Sequence, residues 1–317
     1  MELIIRVTGR CNFDCTFCSA GDMEISHPKN GVPEQIKKVI ETIKPNGIII
    51  SGGEPLMVDP SYYYELHELA NCHIAITTNL KDFYFHPEKW AQLFNEPWVG
   101  ITTSFNYGET RRWDPNTVFT EEKFIEIYEL YKKYTNGKDL PFIAVLDEDN
   151  EDTAIQLAEL AKRLGTYVRI NNATKQGRQQ TTYPRYKLFA KYFEIIEAGL
   201  GDYEVYCKFH EMNKCPINKD MLCHAMIRTC YVDANDVLHY YDCCDIVDKE
   251  HLLDLENDNA EPESKYPHVS EHVNSNCIFC ELFPICNGCR SQKIEYPPEH
   301  CEEMLKMKDK FKKYGWI

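Results

Sequence analysis

Between residues 2 and 170 the chain alternates short apolar runs with amphipathic stretches, and this alternation constrains the fold more than any other feature. The apolar runs predict strands at residues 2–7, 47–51, 73–78, 98–104, 140–146 and 167–170. Between them, helical spacing predicts helices at residues 33–43, 60–71, 86–95, 120–134 and 151–164. In the fourth of these, Phe124, Ile127, Tyr128 and Tyr131 recur at i, i+3, i+4 and i+7 and so share one face. Ile155, Ala158 and Ala161 stack in the same way in the fifth. Strands that alternate with helices imply a parallel sheet with right-handed crossovers. The expected fold class is therefore α/β, a partial (β/α)6 TIM-like barrel with its functional site at the C-terminal ends of the strands. Residues 183–198 predict one more helix. After Gly201 cysteines become frequent, apolar runs shorten and periodicity fades. A boundary is expected near residue 200, giving a barrel core over 1–200 and a cysteine-rich domain over 201–317 that folds around metal.

The chain has 317 residues, 43% of them hydrophobic, which is enough for a normal core in one or two domains. No stretch approaches the roughly 18 apolar residues that a membrane helix needs, so no membrane partner is expected. Residues 1–7 read as a first strand, because they have neither an apolar h-region nor a small-residue cleavage site. A cytoplasmic location follows as an expectation. The net charge of −15 repels phosphate backbones and argues against nucleic acid as a partner. Residues 306–313 are the most basic stretch and read as a terminal amphipathic helix, while the acidic runs 147–152 and 254–263 read as solvated loops.

Cysteine carries the chemistry. There are 15, and all but Cys72 lie before residue 19 or after residue 206. A disulfide framework conflicts with the odd count, the chain length and the lack of a signal peptide. Cys11, Cys15 and Cys18 form C-x3-C-x2-C directly after the first predicted strand. Three thiolates on one short loop can hold three corners of a cubane cluster and leave the fourth iron open to an exogenous ligand. A structural zinc site wants four ligands and a closed shell.

With these cysteines the chain resembles the radical S-adenosylmethionine (SAM) superfamily. The resemblance covers roughly residues 3–200 and includes an aromatic, Phe17, just before the last cysteine. It implies that the open iron of a 4Fe–4S cluster chelates SAM. One electron then cleaves the sulfonium, and the resulting 5′-deoxyadenosyl radical abstracts a substrate hydrogen. An external electron donor of the flavodoxin or ferredoxin type is implied. Gly52, Gly53, Glu54 and Pro55 end the second predicted strand and match the segment that binds the SAM amino group in the family. Thr78 and Asn79 end the third strand and Ser104 the fourth, where barrel sites collect ligands. Arg169 and Asn171 end the sixth, where the family contacts the SAM carboxylate or ribose. Residues 105–113 are expected to shape the substrate pocket, with Arg111 and Arg112 facing either an anion or a surface salt bridge.

At the other end, Cys277, Cys280, Cys286 and Cys289, followed by Cys301, resemble the SPASM extension of radical SAM enzymes that mature peptides and proteins. The resemblance implies two auxiliary 4Fe–4S clusters. Cys223, Cys230, Cys244 and Cys289 would hold the first, and Cys277, Cys280, Cys286 and Cys301 the second. Two departures stand out: the last pair is C-x2-C rather than C-x3-C, and Asp236 stands near the place of an expected glycine. Cys243 and Cys244 compete as ligand; with Cys244 chosen, Asp245 follows it as the candidate base, and Cys243 is left as a candidate hydrogen donor. Read without the N-terminal motif, the C-x2-C pairs equally suit zinc, and a shortened twitch extension would carry a single auxiliary cluster. Cys207 and Cys215 take no assignment, and Cys72 reads as structural.

These features predict a peptide- or protein-modifying oxidoreductase that forms a cross-link or thioether or oxidises a side chain. A dehydrogenase or epimerase of a small molecule, such as a sugar or aminocyclitol, is the alternative. A non-catalytic metal-binding protein conflicts with the intact N-terminal motifs.

Overall fold

The computed structural model describes residues 1–21, 23–213, 227–242, 255, 279–286 and 297–317. Ten strands occur among them: β1 (Glu2–Arg6), β2 (Gly47–Ser51), β3 (His73–Thr77), β4 (Val99–Ser104), β5 (Arg112–Asp114), β6 (Thr117–Val118), β7 (Phe142–Leu146), β8 (Val168–Asn172), β9 (Ile227–Val232) and β10 (Leu238–Asp242). Eight of them form one sheet in the order β10-β9-β1-β2-β3-β4-β7-β8. From β1 to β8 every neighbouring pair is parallel, as the helix–strand alternation requires. The fold is α/β, a partial TIM-like barrel.

The helices between the strands are α1 (Glu34–Ile43), α2 (Pro60–Ala70), α3 (Lys81–Phe85), α4 (Pro87–Asn95), α5 (Glu121–Tyr134) and α6 (Ala154–Leu164), with α7 (Arg185–Glu197) after β8. Their ends follow local chemistry. The Asp59 side chain caps α2 at Ser61 N, with Pro60 at the first helical position. Thr120 caps α5 at Lys123 N, Glu121 and Glu122 occupy its first turn, and Lys132 and Lys133 its last. Phe124, Ile127, Tyr128 and Tyr131 are the buried residues of α5, the same face that the spacing predicts. Leu157, Ala158, Leu160 and Ala161 do the same in α6, whereas Ile155 is only partly buried.

The two edges of the barrel are finished differently. Beyond β8, the short helix α8 (Val205–Lys208) is preceded by Glu204, whose carboxylate accepts from Ile170 N at 3.1 Å and Cys207 N at 2.7 Å. A side chain thereby satisfies a strand N–H that would otherwise invite edge pairing. At the opposite edge β9 pairs parallel to β1, and β10 returns antiparallel to β9. The hairpin that follows the change in composition near residue 200 thus extends the sheet of the barrel.

Among the described residues three short helices follow: α9 (Phe283–Cys286), α10 (His300–Lys306) and α11 (Lys308–Lys313). The basic stretch at residues 306–313 is therefore broken at Met307 rather than forming one helix. Phe311 and Trp316 are buried against Phe189 and Phe193 of α7. Among the described residues no helix is long and apolar enough to cross a membrane.

Candidate functional site

The loop that carries the three cysteines leaves β1 at the C-terminal end of the sheet, where it is pinned from three sides. Gly53 N and Glu54 N donate to Thr8 O and Arg10 O at 2.6 and 2.7 Å. A Cβ on Gly53 would stand 2.1 Å from Arg10 O, so only glycine permits this approach. From the β4–α5 connection, Arg112 O accepts from Asp14 N at 3.1 Å and Thr110 O from Thr16 N at 2.9 Å. From the loop after β8, Arg178 N donates to Cys18 O at 2.9 Å. Gly177, at φ +59°, lies where a Cβ would meet Cys18 O at 2.5 Å. Lys81 adds a further tie, its Nζ donating to Asn12 O at 2.9 Å and Trp113 O at 2.5 Å while lying 4.6 Å above the Trp113 ring.

The pinned loop forms one wall of a cavity of about 340 Å³. Cys11, Cys15, Cys18, Phe17, Gly52, Gly53, Glu54, Thr78, Asn79, Ser104 and Asn171 all line it, so most of the residues singled out from sequence converge here. Asn172 lines it as well; β8 extends through Asn171 and Asn172 instead of ending before them. A larger cavity of about 740 Å³ lies beside α5 and α6, where Tyr107, Glu121 and Arg163 line it without a cysteine. Arg163 and Glu121 in its wall pair with each other, and it holds no cysteine cluster like that of the first.

Glu54 is 1% exposed and ties the Gly52–Glu54 turn to the end of β3. Its carboxylate accepts from Thr78 Oγ1 at 2.5 Å, Asn79 N at 2.8 Å and Leu56 N at 2.9 Å. Burial pushes its carboxyl up to about 7, against the pull of these hydrogen bonds. The turn that follows places Leu80 in the left-handed region at φ +60°, an uncommon conformation for a branched, fully buried side chain. That turn delivers Asn79, whose Nδ2 donates to Asn12 Oδ1 at 2.8 Å and approaches Cys11 Sγ at 3.8 Å.

Arg111 is the residue the sequence left undecided. It is 6% exposed, its Nε and NH2 donate to Asn106 Oδ1 at 3.2 and 3.0 Å, and its NH1 donates to Ser104 Oγ at 3.0 Å. The guanidinium lies 5.0 Å from the Phe17 ring centre. No carboxylate among the described residues pairs with it. Burial lowers its pKa, and the nearby Cys15, Cys18 and Cys11 sulfurs work against that lowering. Burial also pushes the Cys11 thiol up to about 12, with Glu54 adding to the rise, although the residue as a whole is exposed at the cavity rim. Burial raises the Cys18 thiol as well, and a bound metal would have to displace the protons of both. Three thiols on one loop, a buried cation without a carboxylate and an open cavity between them fit an anionic iron–sulfur cluster with a chelated ligand.

Other expected residues lie elsewhere. Arg169 does not line the cavity. It sits one pleat below Asn171, exposed, with its Nε donating to Tyr206 Oη at 2.8 Å; two residues along a strand move a side chain roughly 7 Å from the mouth. Cys230 is fully buried in β9, in register with Ile5 and beside Tyr62 of α2. As placed, it packs like a small apolar side chain, and burial pushes its thiol well up. Cys207 is also buried, its Sγ directed at Tyr192 O, away from the cavity. Cys280 and Cys286 are half-buried against the core, and Cys301 is exposed on α10. Cys215, Cys223, Cys243, Cys244, Asp245, Cys277 and Cys289 lie outside the described residues.

Comparison with known proteins agrees with this geometry. Residues 5–161 match the profile of the Radical SAM superfamily. No curated protein sequence matches the chain. Among solved structures, Streptococcus suis SuiB bound to S-adenosylmethionine is similar, at 16% identity and TM-score 0.62, over 93% of this chain and 75% of SuiB. The same protein bound to precursor peptide SuiA gives a TM-score of 0.63 at 16% identity, over 93% of this chain and 74% of that one. The anSMEcpe structure with bound AdoMet and Cp18Cys peptide gives 0.63 at 17% identity, over 99% of this chain and 97% of that one. At such identities these likenesses establish the fold. Residues 5–161 therefore form a domain of the radical SAM superfamily, a family that implies a 4Fe–4S cluster and S-adenosylmethionine.

Proposed function

We propose that this chain is a SPASM-type radical SAM oxidoreductase acting on a peptide or protein. The observation that carries the reading is the convergence of Cys11, Cys15 and Cys18 with Arg111 on one cavity at the strand ends. The likeness to anSMEcpe, whose structure holds a peptide, runs over nearly the whole of both chains and supports a peptide substrate. The likeness to SuiB with its precursor peptide supports it as well.

When bound, SAM and a reduced 4Fe–4S cluster would supply the chemistry of hydrogen abstraction from substrate, with an external donor of the flavodoxin or ferredoxin type and auxiliary clusters as the electron carriers. The residues of the chain do the rest. Cys11, Cys15 and Cys18 hold the cluster. Arg111, fixed by Asn106 and Ser104, offsets thiolate charge and holds the SAM carboxylate with a planar, multi-donor group. The Gly52–Glu54 turn receives the amino group. The Asn79 amide reaches towards the Cys11 sulfur, and Phe17 packs on Arg111. Asn171 lines the wall opposite the cluster loop as a ribose contact. The C-terminal cysteines hold auxiliary clusters in a region over 201–317, and Asp245 serves as base.

The test is anaerobic reconstitution followed by addition of SAM and dithionite. Formation of 5′-deoxyadenosine is expected; about 12 irons would indicate two auxiliary clusters and about 8 irons one. Well-loaded protein that makes no 5′-deoxyadenosine would sink the reading. Solvent deuterium entering substrate without net oxidation would favour the epimerase alternative.

A further inference from the structure

The loop after β8 reaches the N-terminal cysteines with a charge as well as with its backbone. Its base is closed by Tyr183 N donating to Ala173 O at 2.9 Å and by Asn172 Nδ2 donating to Tyr183 O at 3.2 Å. At its tip, Arg178 N donates to Cys18 O at 2.9 Å. The Arg178 side chain then runs back along the cysteine loop. Its stem lies over Gly21, where a Cβ would stand 2.7 Å from Cγ and 3.0 Å from Nε. Its Nη1 donates to Asp14 Oδ1 at 2.5 Å. The two side chains are 45% and 36% exposed, and an ion pair so exposed adds little to stability. Its place is what sets it apart. Asp14 directly precedes Cys15, and Arg178 spans the loop from Cys18 back to Asp14. Arg178 also pulls the Cys18 thiol down against the rise from burial, ahead of Arg111.

We propose that Arg178 is a positioning residue of the N-terminal cluster: anchored on Asp14, it holds the cysteine loop from the β8 side and keeps a positive charge near the Cys18 sulfur, which raises the reduction potential of that cluster. The proposal rests on the reading of Cys11, Cys15 and Cys18 as the cluster ligands. A cluster becomes more negative by one charge when it takes an electron, so a nearby cation favours the reduced form and a nearby anion opposes it. Net charge is among the levers that set such potentials. Arg178 and Asp14 therefore act on the cluster in opposite directions, although they act together in the ion pair. Arg111 meets the same loop from the β4 side, held by the neutral groups of Asn106 and Ser104. The loop thus has a cation on each flank, one buried and one half-exposed. A raised potential lets a weaker external reductant deliver the electron.

The experiment uses the full-length, iron-loaded chain and reads midpoint potentials by electron paramagnetic resonance in the absence of SAM. The signal that changes when SAM is then added identifies the N-terminal cluster. Arg178→Met leaves the backbone N–H on Cys18 O and is expected to lower the midpoint of that signal. Arg178→Lys keeps the charge and is expected to stay close to wild type. Asp14→Asn keeps an oxygen that can accept from Nη1 but removes the negative charge, and it is expected to raise the midpoint. A purely structural pair would shift Arg178→Met and Asp14→Asn in the same direction, because each breaks the same ion pair. That result, or an unchanged midpoint in both, would overturn the proposal. Should Arg178→Met fail to hold iron, a midpoint in Asp14→Asn that does not rise overturns it alone. Wild-type protein in which no signal responds to SAM would overturn the cluster reading itself, and this proposal with it.

Discussion

Arg111 sets the charge balance of the cavity. A guanidinium taken out of water costs several kcal/mol unless hydrogen bonds and opposite charge offset it. Asn106 and Ser104 supply the hydrogen bonds, and among the described residues no carboxylate pairs with it. On the function proposed, the opposite charge would come from cluster thiolates and a ligand carboxylate. Replacing it tests this directly. Arg111→Met is expected to weaken SAM binding by about 30-fold, equivalent to about 2 kcal/mol for lost charge-assisted hydrogen bonds. Titration calorimetry on iron-loaded protein measures the change, and an unaltered affinity would remove Arg111 from the site.

Among the elements, the cluster loop is the one most dependent on its neighbours. It draws backbone hydrogen bonds from the Gly52–Glu54 turn, the β4–α5 connection and the loop after β8. The outer edge of β8 depends on its neighbour in a comparable way, through Glu204. Burial pushes the Glu204 carboxyl up to about 7, against the pull of hydrogen bonds from Ile170 and Cys207. Because this folded-state value lies above the ordinary 4.5, the stability it contributes is full below about 4.5 and is lost as pH rises through about 7. Between pH 5 and pH 8 the loss is roughly 3 kcal/mol for this group. Glu204→Gln keeps an acceptor but cannot titrate. Urea unfolding at both pH values should therefore show a smaller stability difference in the variant than in wild type; equal differences would refute the assignment.

At the scale of the whole molecule, the C-terminal segment closes back on the barrel. Trp316 is 1% exposed, with ring centroids 5.4 Å from Phe193 and 5.8 Å from Phe189. Lys310 pairs with Glu197 of α7 at 2.9 Å, a surface contact that adds little beside the buried rings. The same helix α7 begins directly after the loop that holds Cys18 O. One helix therefore joins the docked C-terminal segment to the loop that clamps the N-terminal cysteines. Trp316→Ala is expected to cost about 3–5 kcal/mol, the usual range for removing a buried aromatic. Chemical denaturation of iron-loaded protein measures it, and a loss below about 1 kcal/mol would mean that the segment is not docked as described.

Much of this was open to reading before any coordinates. Strand and helix positions follow from periodicity, because burying an apolar face is a local requirement that every element meets with its own residues. The cluster loop is equally legible, since C-x3-C-x2-C places three ligands on one short segment and needs no distant partner. The rest depends on residues far apart in the chain. Arg169 and Asn171 look alike in the sequence, yet the barrel brings Asn171 to the mouth and leaves Arg169 one pleat lower on Tyr206. Arg111 becomes a buried cation only because Asn106, Ser104 and Phe17 enclose it. Cys230 reads as a ligand from its company in the sequence, whereas the pairing of β9 with β1 turns it into the core beside Ile5. The sequence by itself determined the alternating barrel and the chemistry of its cysteine loop, because spacing along one chain segment suffices for both. Only the tertiary structure decided which charge faces the loop and which cysteines meet solvent or core, because strand register and loop packing set those neighbours.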